Sequence, residues 1–238
     1  MFAVKVLTIC VAGLGILHAE DERRILLNDP DLLQTQLHAL ERKVQELTTK
    51  YNDLQATKTN AGGVYVRWGR RDCPKNNTEL VYSGFAGGSW YEHTGAAAEF
   101  VCLPPDPDLT TKYSSSYGRM YGSEYDINSF ASHGLDDGDD VPCAVCRSTA
   151  ESSVIMIPGK SSCYDGWSMQ YRGDLVAGAY SHKAATQYIC LDENPVALPA
   201  GHANNDGNVF YPVVAVCGSL ACPPYHDHKY LTCVVCTK

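Results

Sequence analysis

Apolar side chains recur every three or four residues between positions 30 and 57. They fall at Leu33, Leu37, Leu40, Val44, Leu47, Tyr51 and Leu54. This spacing assigns Leu37, Val44 and Tyr51 to heptad position a and the four leucines at 33, 40, 47 and 54 to position d. The other heptad positions are mostly polar, so the stripe is narrower than on a helix packed against its own globular core. The pattern predicts a coiled coil over 30–57, with Asp29 as its N-cap.

After a hinge at 58–62, which ends in glycine, the helical period disappears. Short segments rich in valine, tyrosine and isoleucine then alternate with turn residues, as in Val64–Trp68, Glu79–Tyr82, Tyr188–Leu191 and Val213–Val216. This alternation is typical of β-strands joined by hairpins. The fold class predicted is therefore mainly β, preceded by an α-helical coiled coil.

The β region reads as two halves, 63–150 and 151–238, that align with each other. The distance from Cys73 to Cys146 is 73 positions, and so is the distance from Cys163 to Cys236. Further matches follow in order: residues 98–103 with 186–191, 121–123 with 217–219, and 141–146 with 231–236. We therefore predict two homologous subdomains, in which Tyr121 and Asp126 stand where the second half has Cys217 and Cys222.

The N-terminal residues 1–19 have the features of a secretory signal peptide. Lys5 precedes an apolar run that ends at Ala19, and a short acidic lead follows at 20–29. The apolar run is shorter than a bilayer span requires, and no other segment is long and apolar enough. Cleavage after Ala19 would remove Cys10 and leave an even number of cysteines, as expected of a disulfide-bonded extracellular chain.

Two C-x-x-C motifs, Cys143–Cys146 and Cys233–Cys236, leave an alternative open. Their spacing also suits zinc, although a secreted chain favours disulfides over thiolate ligands. No strand–CxxC–helix context supports a redox role. Cys217 and Cys222, taken as present in one half only, most simply bond to each other.

The duplicated cysteine framework resembles the non-collagenous C-terminal domain of type IV collagen and its short-chain (spongin-type) collagen relatives in invertebrates. The resemblance covers 63–238 and includes Val64–Trp68 before Cys73 and the closing C-x-V-C. It implies the disulfides Cys73–Cys146, Cys102–Cys143, Cys163–Cys236, Cys190–Cys233 and Cys217–Cys222. It also implies that the two subdomains are intertwined, and that the chains assemble, typically as a trimer, in an extracellular network. No Gly-X-Y run is present, so a triple helix is not expected and the coiled coil would have to assemble the chains.

Two histidines at nearly matching places are candidate ligand residues. His93 and His182 precede Cys102 and Cys190 by nine and eight positions, and Trp90 or Trp167 could supply a stacking face. The alternative, which we favour, is a duplicated buried polar site. Asn76 begins a sequon, Asn76-Asn77-Thr78, and is the predicted glycosylation site.

Two acidic or amide-rich loops resemble calcium loops. One holds Asp136, Asp137, Asp139 and Asp140, and the other spans 204–208. Neither has full EF-hand spacing, and Asp-Gly pairs also form ordinary turns. No other cofactor is expected, and no catalytic motif occurs, so an enzyme is not predicted.

Net charge excludes one further class. The chain carries 27 acidic against 19 basic side chains, for a net charge of −8, so nucleic acid is not an expected partner. The function predicted is a secreted homo-oligomeric structural protein of an extracellular matrix, coat or secretion, with other matrix proteins or glycans as further partners. The alternative is a multivalent lectin-like or innate-immune recognition protein, in which linked weak contacts also add.

Overall fold

The computed structural model describes residues 30–60, 62–95, 97–111, 115–126 and 128–238. The predicted signal peptide with Cys10, the acidic lead and Asp29 lie outside the described residues. The helix α1 spans Pro30–Asn60 and is a separate unit from the β region. It begins at a proline, which suits the first helical position because a residue there donates no intrahelical hydrogen bond and proline has no N–H to donate. It ends three residues beyond the predicted 57, since the first helix breaker is Gly62.

The described part of the β region carries ten strands, and the chain is mainly β as predicted. In chain order they are β1 Val64–Trp68, β2 Thr78–Gly88, β3 Val101–Leu103, β4 Tyr121–Tyr125, β5 Pro142–Ser148, β6 Val154–Pro158, β7 Ser168–Ala177, β8 Ile189–Asp192, β9 Asn208–Pro212 and β10 Thr232–Thr237. A short 3-10 helix, Asn128–His133, lies between β4 and β5. Among the described residues, no helix combines the length and the apolar character needed to cross a membrane.

The second five strands repeat the antiparallel pairings of the first five. Strand β5 lies between β1 and β2, as β10 lies between β6 and β7. Strand β2 also pairs with β3 and β4, as β7 does with β8 and β9. A Cβ on Gly84 would lie 1.8 Å from the Leu103 carbonyl oxygen, and one on Gly173 would lie 1.8 Å from that of Leu191. Both positions therefore require glycine for the same close strand contact.

Two parallel pairings join the halves. Strand β1 meets β8 at Trp68 and Leu191, and β4 runs beside β9, with Ser123–Tyr125 opposite Asn208–Phe210. Because β9 also pairs with β7, the strands β7-β8-β1-β5-β2-β4-β9 close into a ring. Residues 59–238 accordingly form one compact unit.

The register corrects one predicted match. Tyr121 lies opposite Gly88, and Tyr211, not Cys217, lies opposite the corresponding Ala177. The bridge between Glu124 and Asp140 likewise has its counterpart in Val214 and Tyr230, 90 positions later. The prediction that Cys217 matches Tyr121 is therefore wrong, because a shared Gly-Ser pair shifted the alignment by six residues. Cys217–Cys222 instead follows the matched strands, where the first half has its 3-10 helix.

The five disulfides join the partners that the resemblance implies. They are Cys73–Cys146, Cys102–Cys143, Cys163–Cys236, Cys190–Cys233 and Cys217–Cys222. Every described cysteine is bonded, so none of them is a thiolate available to zinc. Cys73–Cys146 and Cys163–Cys236 each close a loop of 73 residues. In the chain-entropy model, each of these two disulfides stabilises the fold by about 4 kcal/mol.

The main hydrophobic core lies where the halves meet. Phe210 of β9 is fully buried, and its ring packs edge-on against Phe100, Trp68 and Tyr125, at centroid distances of 4.8, 6.5 and 6.3 Å. A second core around Tyr171 and Leu175 includes Tyr65 of the first half. Each core therefore depends on side chains from both halves.

Candidate assembly interface

The segment 193–207, between β8 and β9, extends from the second half onto the first, and we call it the clasp loop. Its Val196 and Leu198 amides donate to the carbonyls of Gly69 and Asp140, at 2.9 and 3.0 Å. The Asp140 amide in turn donates to the Gly201 carbonyl at 2.8 Å. The loop leads directly into β9, so the hydrogen bonds of clasp loop and strand form one continuous contact between the halves.

A buried carboxylate anchors the end of the clasp loop. Glu124 of β4 accepts hydrogen bonds from the backbone amides of Asn205 and Asp206, at 3.0 and 3.2 Å. Burial raises the pKa of Glu124 above its usual range. Burial, followed by the neighbouring Asp139 charge, also raises the pKa of Asp140. The anchor is therefore a crowded acidic site in which protonation is favoured.

One cationic partner faces this acidic site from the loop. The His202 ring nitrogen Nδ1 contacts the carboxylate of Asp139, which is buried. That hydrogen bond is the main reason why the pKa of His202 is raised. The clasp loop thus brings a histidine to the buried Asp139 carboxylate.

The two predicted calcium loops meet at the same place. Asn204 donates to the Asp137 carboxylate at 3.3 Å, and the Asp136 amide donates to Asp139 at 2.9 Å. Among the described residues, no group of three or more histidine, cysteine, aspartate or glutamate side chains is arranged to hold a metal ion. The candidates Asp136, Asp137, Asp139 and Asp140 thus belong to a contact between two segments of the chain.

We expect acidification to strengthen this contact. The pKa values of Glu124, Asp140 and His202 are all raised in the folded state, so folding takes up protons. Stability gained this way is present at low pH and is lost as pH rises through the folded pKa values. Lowering pH from about 8 to about 5.5 should therefore raise the melting temperature by a few degrees.

The control is His202→Gln, measured by the same thermal melts. It should lose the part of the increase that comes from His202. Asp72 acts in the opposite direction, because Arg70 lowers its pKa, but it titrates below this pH range. A melting temperature that falls between these two pH values would contradict the assignment.

Three of the four predicted ligand residues join an aromatic cluster across the halves. Trp90 and His93 both contact Tyr121, with ring centroids 5.2 and 5.6 Å apart, and His182 packs on Tyr91 at 4.6 Å. Trp167 lies elsewhere, beside Lys238 at 6.0 Å. His182 Nδ1 is buried and has no hydrogen-bond partner among the described residues. Packing between halves accounts for these contacts, and the sequence repeat alone did not reveal it.

An open groove of about 850 Å³ lies on the second half. Its walls are the segments 177–188 and 211–216. Tyr180 on one wall is fully exposed, and Val216 on the other is 62% exposed. We call it the second-half groove. The strand register identifies its place: Val213–Ala215 correspond to Ser123–Tyr125, which β9 covers in the first half.

The second-half groove and its first-half counterpart share an equivalent backbone hydrogen bond. The Ala215 amide donates to Lys229 as the Tyr125 amide donates to Asp139, both at 2.9 Å. Yet Val213–Val216, which the sequence predicted as a strand, forms only the bridge at Val214. In the described chain nothing corresponding to β9 lies beside it. The segment therefore has the position of a strand without its second neighbour.

Of the residues that line this surface, sequence reasoning identified His182 as a candidate ligand residue and did not identify the others. Tyr180 and Tyr91 stand at matching positions, two residues before His182 and His93, and that match was the available signal.

Asn76 is exposed in the loop before β2, as its predicted glycosylation requires. Compared with models of known protein families, the chain matches none.

Proposed function

We propose that this is a secreted structural protein that assembles with copies of itself into an extracellular matrix, coat or secretion. Two surfaces support the proposal, the apolar stripe of α1 and the second-half groove. We infer that the two halves are duplicates and that the contact between them recurs between neighbouring chains. The resemblance to the type IV collagen domain favours three chains.

The apolar stripe of α1 supports a coiled coil. Its seven heptad side chains, Leu33 to Leu54, are 46–70% exposed. A helix that exposes this much leucine is favoured to bury it against another helix, at roughly 25 cal/mol per Å² of apolar surface. A second copy fits this stripe, because identical heptads provide matching a and d layers.

The first half carries a segment suited to the second-half groove. Residues 104–120 correspond to the clasp loop together with the first three residues of β9, and every described residue among them is exposed, including Leu109 at 88% and Met120 at 53%. By the strand register, Met120 corresponds to Phe210, which is buried. We infer that this segment covers the second-half groove of a neighbouring chain as the clasp loop and β9 cover the first half.

The observation that carries the proposal is the strand register of the two halves. Ser123–Tyr125 and Val213–Ala215 hold equivalent positions, and in the described chain β9 covers only the first of them. A head-to-tail contact of this kind closes into a ring when its rotation permits. The coiled coil would hold the chains together at high effective concentration, so that the ring contacts need not be strong individually. The recognition alternative has less support, because Trp90 and His93 are engaged with Tyr121.

Charges placed in either surface should reduce the assembled mass. We expect Leu40→Asp with Leu47→Asp, and separately Tyr180→Asp with Val214→Asp, each to lower the mass of the full secreted chain in light scattering. A buried aspartate at these contacts would lose its hydration without gaining a partner. All four side chains are exposed in the single chain, so folding should be unaffected.

Matched controls place the same charge outside both surfaces. Gln45→Asp lies on the polar side of α1, and Tyr164→Asp replaces an exposed tyrosine outside the second-half groove. Both should keep the wild-type mass. If the groove variant also keeps it, the repeated contact is not used; if the wild-type chain is itself monomeric, the assembly proposal fails.

A further inference from the structure

The flanks of the apolar stripe on α1 carry an uneven distribution of charge. Position g holds Gln36, Lys43 and Lys50, whereas position e holds Gln34, Glu41, Thr48 and Gln55. Within one chain, the Lys50 ammonium pairs with Glu46 at 2.7 Å, and His38 contacts Glu41 at 3.2 Å. Both positive charges on the flanks therefore lie at g, and the negative charge lies at e.

A parallel arrangement in register brings no like charges together. There, each g side chain faces the e side chain five positions later on the partner helix. The resulting pairs are Gln36 with Glu41, Lys43 with Thr48, and Lys50 with Gln55. The Tyr51 layer is compatible with this arrangement, because its hydroxyl already accepts a hydrogen bond from Gln55 at 2.7 Å.

An antiparallel arrangement places g against g and e against e. Of the two alignments that overlap most of the helix, one puts Lys43 opposite its own copy and Glu41 opposite its own copy. The other puts Lys43 opposite Lys50 twice. Like charges at such positions are destabilising, and both alignments contain them.

We propose that α1 docks on copies of itself in parallel and in register, so that all β domains of one assembly lie at the same end of the coil. The partner is a second copy of this chain, and the charge distribution at e and g sets its direction. This inference rests on the proposed assembly function, because it assumes that α1 forms a coiled coil. It adds the orientation, which decides whether neighbouring domains can reach each other.

Single cysteines at the two ends of the stripe test the orientation in the full chain. Leu33→Cys and Leu54→Cys, each alone, should give a covalent dimer as the main product of mild oxidation on non-reducing gels. In a parallel pair, like d positions are adjacent, whereas a centred antiparallel pair would separate the two residues 33 by roughly 27 Å. Thr49→Cys, on the outer face, is the control and should remain uncrosslinked.

Two failures have different meanings in this test. If light scattering shows an oligomer but neither end variant cross-links, and co-expressed Leu33→Cys and Tyr51→Cys chains join only to each other, the coil is antiparallel and the inference is overturned. If light scattering shows single chains, the assembly function itself fails. Self-cross-linking at both ends supports the parallel arrangement.

Discussion

Phe210→Ala should destabilise the β domain by about 3–5 kcal/mol, the cost typical of truncating a buried aromatic residue. Phe210 is fully buried between Trp68, Phe100 and Tyr125, so its removal leaves a cavity lined by both halves. The rigid rings around it contribute edge-to-face contacts that alanine cannot replace. Denaturant unfolding of the disulfide-bonded chain, followed by tryptophan fluorescence, would measure the change.

Phe85→Ala is the matched control for this substitution. Phe85 lies on β2 with 45% of its surface exposed, so the same truncation removes little buried area. We expect its effect to remain near 1 kcal/mol. Equal effects of the two substitutions would mean that the core between the halves is not the main source of stability.

Asp192→Ala should cost about 2–3 kcal/mol, because the largely buried Arg67 guanidinium loses its closest ion pair and keeps only the longer one to the exposed Asp72, at 3.5 Å. Arg67 Nε donates to the Asp192 carboxylate at 2.7 Å, and the two side chains are 13% and 2% exposed. The pair joins β1 of the first half to β8 of the second. Asp192 also accepts a hydrogen bond from the Asn194 amide at 2.9 Å, which the variant loses as well.

The neighbouring Glu193→Ala is the control, because it removes a carboxylate from an exposed ion pair instead of a buried one. Glu193 pairs with Arg172 at 2.9 Å, but both side chains are 47% exposed. An exposed pair of this kind contributes at most about 1 kcal/mol. Thermal melts of the two variants at equal ionic strength would compare them, and an Asp192→Ala effect no larger than that of Glu193→Ala would contradict the assigned role.

Features that depend on the spacing of residues along the chain could be predicted from the sequence. The start of α1 follows from Pro30 and the heptads, and β1 follows from Val64–Trp68. The disulfide partners came from the resemblance, whose cysteine spacing both halves repeat. In each case the signal lies within a few residues or in exact recurrence.

Contacts between the halves could not be predicted, because they depend on residues far apart in the chain. The aspartates at 136–140 indicate a polar turn, but nothing local shows that His202 and Asn204 face them. Val213–Val216 has strand composition, yet in the described chain it forms only the bridge between Val214 and Tyr230, and its local sequence does not show which segment lies beside it. The shifted alignment at Cys217 arose from a chance Gly-Ser match that only hydrogen-bond register could correct.

The double pairing of β9 has a consequence for how the domain comes apart. Strand β9 is bonded to β4 through its first three residues and to β7 through its last two. Neither half can detach while β9 keeps both neighbours, and the core around Phe210 opens once β9 leaves. We therefore expect the halves to unfold as one cooperative unit, and the amide protons in β4, β7 and β9 to exchange with solvent only when the whole domain opens.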